Sequence, residues 1–176
     1  SAAALRGMLT WTDNSSDRWI GVGSYNKLYI YNSAGARFDI TPAGLTAGRE
    51  DAVSFTGFGG GPYGSYAYGV ARPDTVRIQP ATSWDLEPWG EYMLACNEDD
   101  GKIYQWQLNT GVVSAVLSNA PTSNSGCIVT EERFLFALGA GGNPRKVQWS
   151  DRENNNLWTP AATNESGDLE LNTSGV

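Results

Sequence analysis

The 176-residue sequence contains no histidine, and this absence removes several kinds of chemistry at once. Histidine is the usual base that activates serine or cysteine nucleophiles, and it is the commonest metal ligand. Carboxylate chemistry stays open, because 19 Asp and Glu are present. A glycosidase needs two carboxylates about 5 to 9.5 Å apart, but most acids fall in turns, such as Asp13, Asp17 and Asp99. We therefore expect no enzymatic activity and no catalytic residue.

Cysteine is also scarce, with Cys96 and Cys127 as its two members. Two cysteines define neither a disulfide framework nor a metal cluster. Both stand beside apolar residues, so we predict two small buried thiols, or a bridge if their Cα atoms come within about 7 Å. We expect no metal and no cofactor.

Long apolar runs and helical stripes are missing as well. No stretch approaches the ~20 apolar residues that span a bilayer, and residues 1–5 (SAAAL) lack the charged and hydrophobic regions of a secretion signal. We therefore expect no membrane-spanning segment. No window of a dozen residues carries the apolar spacing of an amphipathic helix.

Basic residues are few. The 12 Lys and Arg are outnumbered by 19 Asp and Glu, so the net charge is −7, and 18% of all residues are charged. A surface that grips nucleic acid neutralises phosphates with basic side chains, so this balance argues against such a surface. An acidic wall suits a conduit through which DNA slides without adhering. Ordinary solubility explains the same charge.

Glycine and aromatic residues are abundant, with 21 glycines and 11% aromatics, and this mixture is typical of an all-β chain. The most informative stretch is residues 146–160 (KVQWSDRENNNLWTP). Val147 and Trp149 alternate with polar residues, as in a half-buried strand. Asp151 and Asn154 favour a turn, because their side chains bond nearby backbone. Trp158 then begins another short strand.

This pattern of strand, turn and strand occurs three times. The matching strands are residues 28–31 (LYIY), 103–106 (IYQW) and 146–149 (KVQW), which makes Tyr31, Trp106 and Trp149 equivalent. An apolar strand precedes each of them, at residues 19–22, 92–95 and 134–137. Another strand follows each of them, at residues 38–40, 113–116 and 158–160.

Three such copies predict β-propeller-like blades of short antiparallel strands, in one domain over residues 1–176. The units span about residues 18–45, 84–119 and 127–160. Residues 5–10 are predicted as a lead-in strand, and residues 167–171 as the start of a fourth unit. A propeller closes with about four to eight blades. We therefore expect this chain to be part of a longer polypeptide, or to be completed by another chain.

A glycine-rich and aromatic insertion, residues 46–82, separates the first two units. Its aromatic members are Phe58, Tyr63, Tyr66 and Tyr68. Aromatic side chains are enriched at protein interfaces, so we predict an interface loop, with folding over its own sheet as the alternative. Trp89 stands between Pro88 and Gly90, and we expect it to be exposed and to join this interface.

Two further patterns admit alternatives. Residues 97–101 (NEDDG) suit either a calcium site or an Asp-Gly hairpin, and the hairpin is favoured because a strand begins at once. The seven tryptophans offer platforms for sugar stacking, but alternation favours core packing for Trp106 and Trp149.

The sequence resembles the tail nozzle proteins of short-tailed bacteriophages, which are also called packaged-DNA stabilisation or tail tubular proteins. The matching segments are residues 84–91 (WDLEPWGE), 103–106, 133–139 (RFLFALG), 147–151 (VQWSD) and 158–160, with Asn154, Asn164 and Gly167. A Gly/Tyr loop like residues 59–69 is also found in such proteins. The strongest part of the match is residues 147–151 with Asn154, residues 158–160, Asn164 and Gly167. Its structural motif is Trp149, Asp151, Asn154 and Trp158.

This resemblance implies a structural virion protein of the phage tail. Copies would form a ring below the portal and adaptor, which prolongs the channel for genome retention and ejection. DNA would pass without sequence-specific binding, and no active site is implied. The alternative is a receptor-binding or glycan-binding propeller module of a phage tail, suggested by the tryptophans and by Tyr63, Tyr66 and Trp89.

Overall fold

The computed structural model describes residues 3–52 and 80–172. Within them the chain forms twelve β-strands and one turn of 3-10 helix, Ala140–Gly142. The strands make three antiparallel sheets of four strands each, and neighbours in each sheet follow chain order. The prediction of an all-β fold with blade-like antiparallel sheets is confirmed.

Each sheet is built from one continuous part of the chain. The first sheet contains β1 (Leu5–Thr12), β2 (Arg18–Ser24), β3 (Leu28–Asn32) and β4 (Arg37–Asp39). The second contains β5 (Trp84–Trp89), β6 (Tyr92–Asn97), β7 (Ile103–Trp106) and β8 (Ala115–Val116). The third contains β9 (Gly126–Val129), β10 (Leu135–Leu138), β11 (Lys146–Trp149) and β12 (Gly167–Glu170).

The predicted equivalence of three strands is confirmed, because β3, β7 and β11 are each the third strand of their sheet. Tyr31, Trp106 and Trp149 all pair with the second strand of their sheets. Alternation aligned the three strands, but the predicted equivalence of Trp106 and Trp149 is wrong. Trp106 faces the first sheet, which precedes its own, whereas Trp149 faces away from the second sheet, which precedes its own.

The outer strand of the third sheet was predicted wrongly. Residues 158–160 form no strand, and residues 167–171 begin no fourth unit, because β12 pairs with β11 and completes the third sheet. Trp149 lies opposite Gly167, where a side chain would meet the Trp149 ring at 2.4 Å. The glycine gives the indole the space it needs, whereas Pro160 has no N–H for a ladder. The third sheet therefore extends to Glu170, beyond the predicted boundary at residue 160.

The first strand was predicted at the right place, but two residues too short and outside the first unit. Residues 5–10 were predicted as a lead-in, but β1 runs to Thr12 and pairs with β2 along its length, with an irregularity between Leu5 and Gly7. The first unit therefore begins at Leu5 instead of Arg18, and its polar turn, residues 13–17, lies inside the sheet as the β1–β2 connection.

Two apolar cores lie between the sheets. One joins the first sheet to the second through Trp11, Ile30, Met93 and Trp106. The other joins the second sheet to the third, and its largest members include Trp89, Leu94, Leu135 and Trp158. Alternating residues of β6 enter opposite cores, since Met93 and Ala95 face the first sheet while Leu94 and Cys96 face the third. The second sheet is consequently covered on both faces.

The two cysteines lie in the core between the second and third sheets. Cys96 is 1% exposed and Cys127 is 3% exposed, and both thiols are free. The neighbouring Cys96 thiol, together with burial, raises the pKa of the Cys127 thiol well above its usual range. The prediction of two small buried thiols is confirmed.

Candidate functional site

The structural motif lies at the end of β11 and in the loop, residues 150–166, that links β11 to β12. Trp149 is the last residue of β11, and Asp151, Asn154 and Trp158 are in the loop. Asp151 and Asn154 form an isolated bridge, and the Asp151 carboxylate accepts a hydrogen bond from the Glu165 backbone N–H at 2.8 Å. The Trp149 indole N–H donates to the Glu165 carbonyl at 2.8 Å, and the Trp158 indole N–H donates to the Asn155 carbonyl at 2.7 Å. These contacts give the motif a structural role in holding the loop.

Trp149 and Trp158 differ in what they pack against. Trp158 is 3% exposed and belongs to the core between the second and third sheets. Trp149 is half-buried and stacks on Phe136, with ring centroids 5.7 Å apart. Core packing is thus confirmed for Trp106, which is 2% exposed, but it is wrong for Trp149, which belongs to neither core.

The predicted exposure of Trp89 is wrong. Trp89 is the last residue of β5, is 5% exposed, and packs in the core between the second and third sheets. The Arg133 guanidinium lies 5.4 Å from the centre of its ring. The flanking Pro88 and Gly90 suggested a loop, but Pro88 still pairs with Met93 and the turn begins only at Gly90. The other members of the predicted interface, Phe58, Tyr63, Tyr66 and Tyr68, lie outside the described residues.

All seven tryptophans fall within the described ranges, and each is buried or half-buried. A sugar-binding platform presents an open aromatic face to solvent, because the ring must stack on the sugar. Trp11, Trp84 and Trp106 are instead enclosed between sheets. Trp89, on which the glycan-binding alternative relied, is therefore buried, whereas Trp149 is half-buried and lies outside both cores.

The two ends of the insertion are held by the acidic turn between β6 and β7. The Asp99 carboxylate contacts the Arg49 guanidinium at 2.5 Å and accepts a hydrogen bond from the Thr82 hydroxyl. Arg49 also donates to the Pro80 carbonyl at 2.8 Å. Asp99 thus ties both ends of the insertion to the second sheet.

Asp100 completes this attachment from the same turn. Its carboxylate accepts hydrogen bonds from the Tyr104 hydroxyl at 2.6 Å and from the Thr46 backbone N–H at 3.2 Å. It also pairs with the Lys102 ammonium at 2.9 Å, and its side chain is only 2% exposed. The turn joins β6 to β7 as a hairpin, and both aspartates are engaged by protein donors. Within residues 3–52 and 80–172, no group of three or more acidic or cysteine side chains is placed to hold a metal ion.

We expect Asp100→Asn to lower the free energy of unfolding by about 1 kcal/mol at neutral pH, since it removes charged hydrogen bonds. Burial alone would raise the pKa of Asp100, but the bonds from Tyr104 and Lys102 lower it below its ordinary value of 3.8. Stability from a lowered carboxyl pKa is complete above the ordinary value and is lost as pH falls through the folded-state pKa.

Urea unfolding of both proteins between neutral pH and about pH 3 checks this expectation. The gap between wild type and Asp100→Asn should be constant at neutral pH and should shrink below about pH 4. A stability difference between the two proteins that grows in acid would contradict the lowered pKa of Asp100.

A second pair of acids, Asp85 and Glu87, was not singled out from the sequence. Both lie on β5, which runs beside β1 and β9. Burial raises the pKa of both carboxyl groups. Asp85 accepts a hydrogen bond from the Cys127 backbone N–H at 3.3 Å, and this contact links the first strand of the second sheet to that of the third.

The third sheet has one face that neither core covers. Its residues alternate with those that enter the core, and they are Ile128, Phe136, Leu138, Val147, Trp149 and Leu169. We call this set the third-sheet outer face. Ile128 is 47% exposed and Leu169 is 56% exposed. Six apolar side chains on one open sheet face are unusual for a surface that meets only water.

The first sheet has a comparable open face on its side away from the second sheet. It carries Met8, Ile20, Tyr29 and Tyr31, with Arg18, Arg37 and Asp39 on the same face. We call this set the first-sheet outer face. Met8 is 66% exposed and Ile20 is 39% exposed, and the Arg37 guanidinium lies 5.0 Å from the centre of the Tyr29 ring. Alternation in the sequence gives these residues one face, but only the sheet order shows that the face is open.

Comparisons with protein families, curated proteins and solved structures gave no match to this chain. Across the described parts of the chain, no helix has the length and apolar character needed to cross a membrane. The two outer faces expose apolar side chains, such as Met8 and Leu169, and their chemistry is that of packing surfaces.

Proposed function

We propose that this protein is a non-enzymatic structural component of a bacteriophage tail. Its copies form an oligomeric ring, the nozzle, that extends the portal channel for genome retention and ejection. The neighbouring partners are other tail proteins such as the adaptor, and DNA passes through the channel without sequence-specific contacts.

The observation that carries this proposal is the pair of open apolar faces at the two ends of the sheet stack. A structural protein that acts by assembly needs such surfaces, because burial of apolar area drives most association between proteins. The third-sheet outer face includes Ile128, Leu138 and Leu169, which are 39% to 56% exposed.

Two features of the sequence agree with this proposal. The segments that resemble tail nozzle proteins form strands and turns of the described sheets, including β5, β7 and β11. The net charge of −7 suits a channel wall, since like charge keeps DNA from adhering.

Immunogold electron microscopy of purified phage particles tests this proposal. An antibody raised against the 176-residue chain should label the tail end of intact particles and should leave tailless capsids unlabelled. Absence of the protein from purified particles, checked by mass spectrometry of the same sample, would overturn the proposal.

A further inference from the structure

The second sheet shows what a covered sheet looks like in this molecule. Its residues Met93, Leu94, Ala95 and Cys96 point alternately to the two neighbouring sheets, and each is at most 1% exposed. The first and third sheets have one such covered face each, and one open face. The outer faces thus continue the series of sheet-on-sheet interfaces at both of its ends.

We propose that the third-sheet outer face of one copy packs on the first-sheet outer face of a second copy, head to tail. This inference rests on the proposed function, and it names the contact that joins neighbouring copies in the ring. We assign a second copy as the partner of each outer face because every copy carries both faces. One kind of contact, repeated between neighbouring copies, then covers both of them. Contacts between two different patches repeat around a ring when the rotation between copies closes.

The charge distribution supports a contact between these two ends. Residues 5–39, which form the first sheet, hold four basic and three acidic side chains. Residues 126–170, which form the third sheet, hold four basic and seven acidic side chains. The first sheet is therefore positive and the third negative, in a chain whose net charge is −7. Opposite signs favour encounter of unlike ends over encounter of like ends.

The residues on the two faces also suit sheet-on-sheet packing. The third-sheet outer face carries no charged side chain in its strands, and its Phe136 and Trp149 rings stack at an interplanar angle of 28°. The first-sheet outer face offers Tyr29 and Tyr31, whose rings have an apolar body, and it offers Arg18 and Arg37 for the rim. Aromatic and arginine side chains are the residues most enriched at protein interfaces.

Two variants, each of which damages one face, test the contact. Leu138→Glu places a charge on the third-sheet outer face, and Met8→Glu places one on the first-sheet outer face. Leu138 is 39% exposed and Met8 is 66% exposed, so neither change buries a charge within the monomer. Val113→Glu is the matched control, because Val113 is 45% exposed and lies on neither face.

Sedimentation equilibrium of the full 176-residue chain gives the mass of each species. Wild type and Val113→Glu should exceed the monomer mass of 18.9 kDa as concentration rises, whereas Leu138→Glu and Met8→Glu should each stay at 18.9 kDa. A mixture of the two variants should form a dimer of one copy of each. In it the intact first-sheet outer face of Leu138→Glu packs on the intact third-sheet outer face of Met8→Glu.

Three results would overturn the contact. They are a monomeric wild type at all concentrations, assembly of either face variant to the wild-type mass, and failure of the mixture to pair. Far-ultraviolet circular dichroism of each variant identifies loss of folding, and an unfolded variant is replaced by Leu169→Glu or Ile20→Glu on the same face. The protein would still be found in phage tails if only the contact were wrong, so this failure is distinct from that of the proposed function.

Discussion

Replacement of Trp106 by alanine is expected to lower the free energy of unfolding by about 3 to 5 kcal/mol, the range found for large aromatic residues in protein cores. Trp106 is 2% exposed. Its ring meets those of Trp11 and Trp19 edge-on, with centroids 6.3 and 5.4 Å away. Its indole N–H donates to the Asn109 carbonyl at 3.0 Å. Alanine would leave a cavity between the first and second sheets and an unmatched carbonyl.

Urea unfolding monitored by tryptophan fluorescence and by circular dichroism measures this loss. The matched control is Trp149→Ala, which changes the last residue of the third strand of the third sheet, as Trp106 is the last residue of the third strand of the second. Trp149 is half-buried, so its replacement removes less buried apolar area than that of Trp106. We expect Trp149→Ala to lower the free energy of unfolding by about 1.5 kcal/mol. Equal losses at the two positions would contradict the assignment of Trp106 to the core and Trp149 to the open face.

Replacement of Gly7 by alanine is expected to lower the free energy of unfolding by about 3 kcal/mol, through overpacking between the first two sheets. A Cβ atom on Gly7 would lie 2.6 Å from the Trp84 carbonyl oxygen and 2.8 Å from the Trp84 Cβ. A backbone carbonyl cannot rotate away as a side chain can, so β1 and β5 would have to separate. The absence of a side chain at Gly7 therefore lets these two strands approach.

Gly111→Ala is the matched control for this substitution. The atom nearest to its added Cβ would be the Asn109 side-chain oxygen at 3.4 Å, an ordinary contact distance. We expect a change within about 0.5 kcal/mol, as for surface substitutions that disturb no special feature. If chemical denaturation gave Gly7→Ala the same stability as Gly111→Ala, the close approach of the first two sheets would be wrong.

Much of this fold follows from alternation and turn chemistry within short segments. The second and third strands of every sheet, such as β2 and β3, were predicted because their side chains alternate and short polar turns separate them. These pairs are local in sequence, so a pattern read over a few residues is enough to define them. Cys96 and Cys127 were predicted as buried thiols on the same basis.

The outer strands depend on contacts that a local pattern does not define. Residues 158–160 and residues 167–170 both carry the pattern of a strand. One edge of β11 pairs with β10, so the other edge has room for only one of these two segments. Residues 167–170 make this pair. Gly167 leaves room for the Trp149 ring, because a Cβ atom at this position would lie 2.4 Å from the ring. Gly167 therefore favours the pairing of β12 with β11, in which it lies opposite Trp149.

The candidate site was only partly accessible from the sequence for a related reason. A period of two assigns Leu138, Val147 and Leu169 to one face of a sheet, but it does not say whether another sheet covers that face. Trp149 was assigned to the core from alternation together with the apolar area of its ring. The arrangement of the three sheets is what separates covered faces from open ones.

Electron-microscopy class averages of the native assembly, purified from its source, test the central claim most directly. We predict rings with rotational symmetry around a central channel of DNA width, in which the first-sheet and third-sheet outer faces of neighbouring copies meet. Isolated copies with no rotational symmetry, in preparations that retain the full-length protein, would contradict the account of this chain as a ring-forming part of a phage tail.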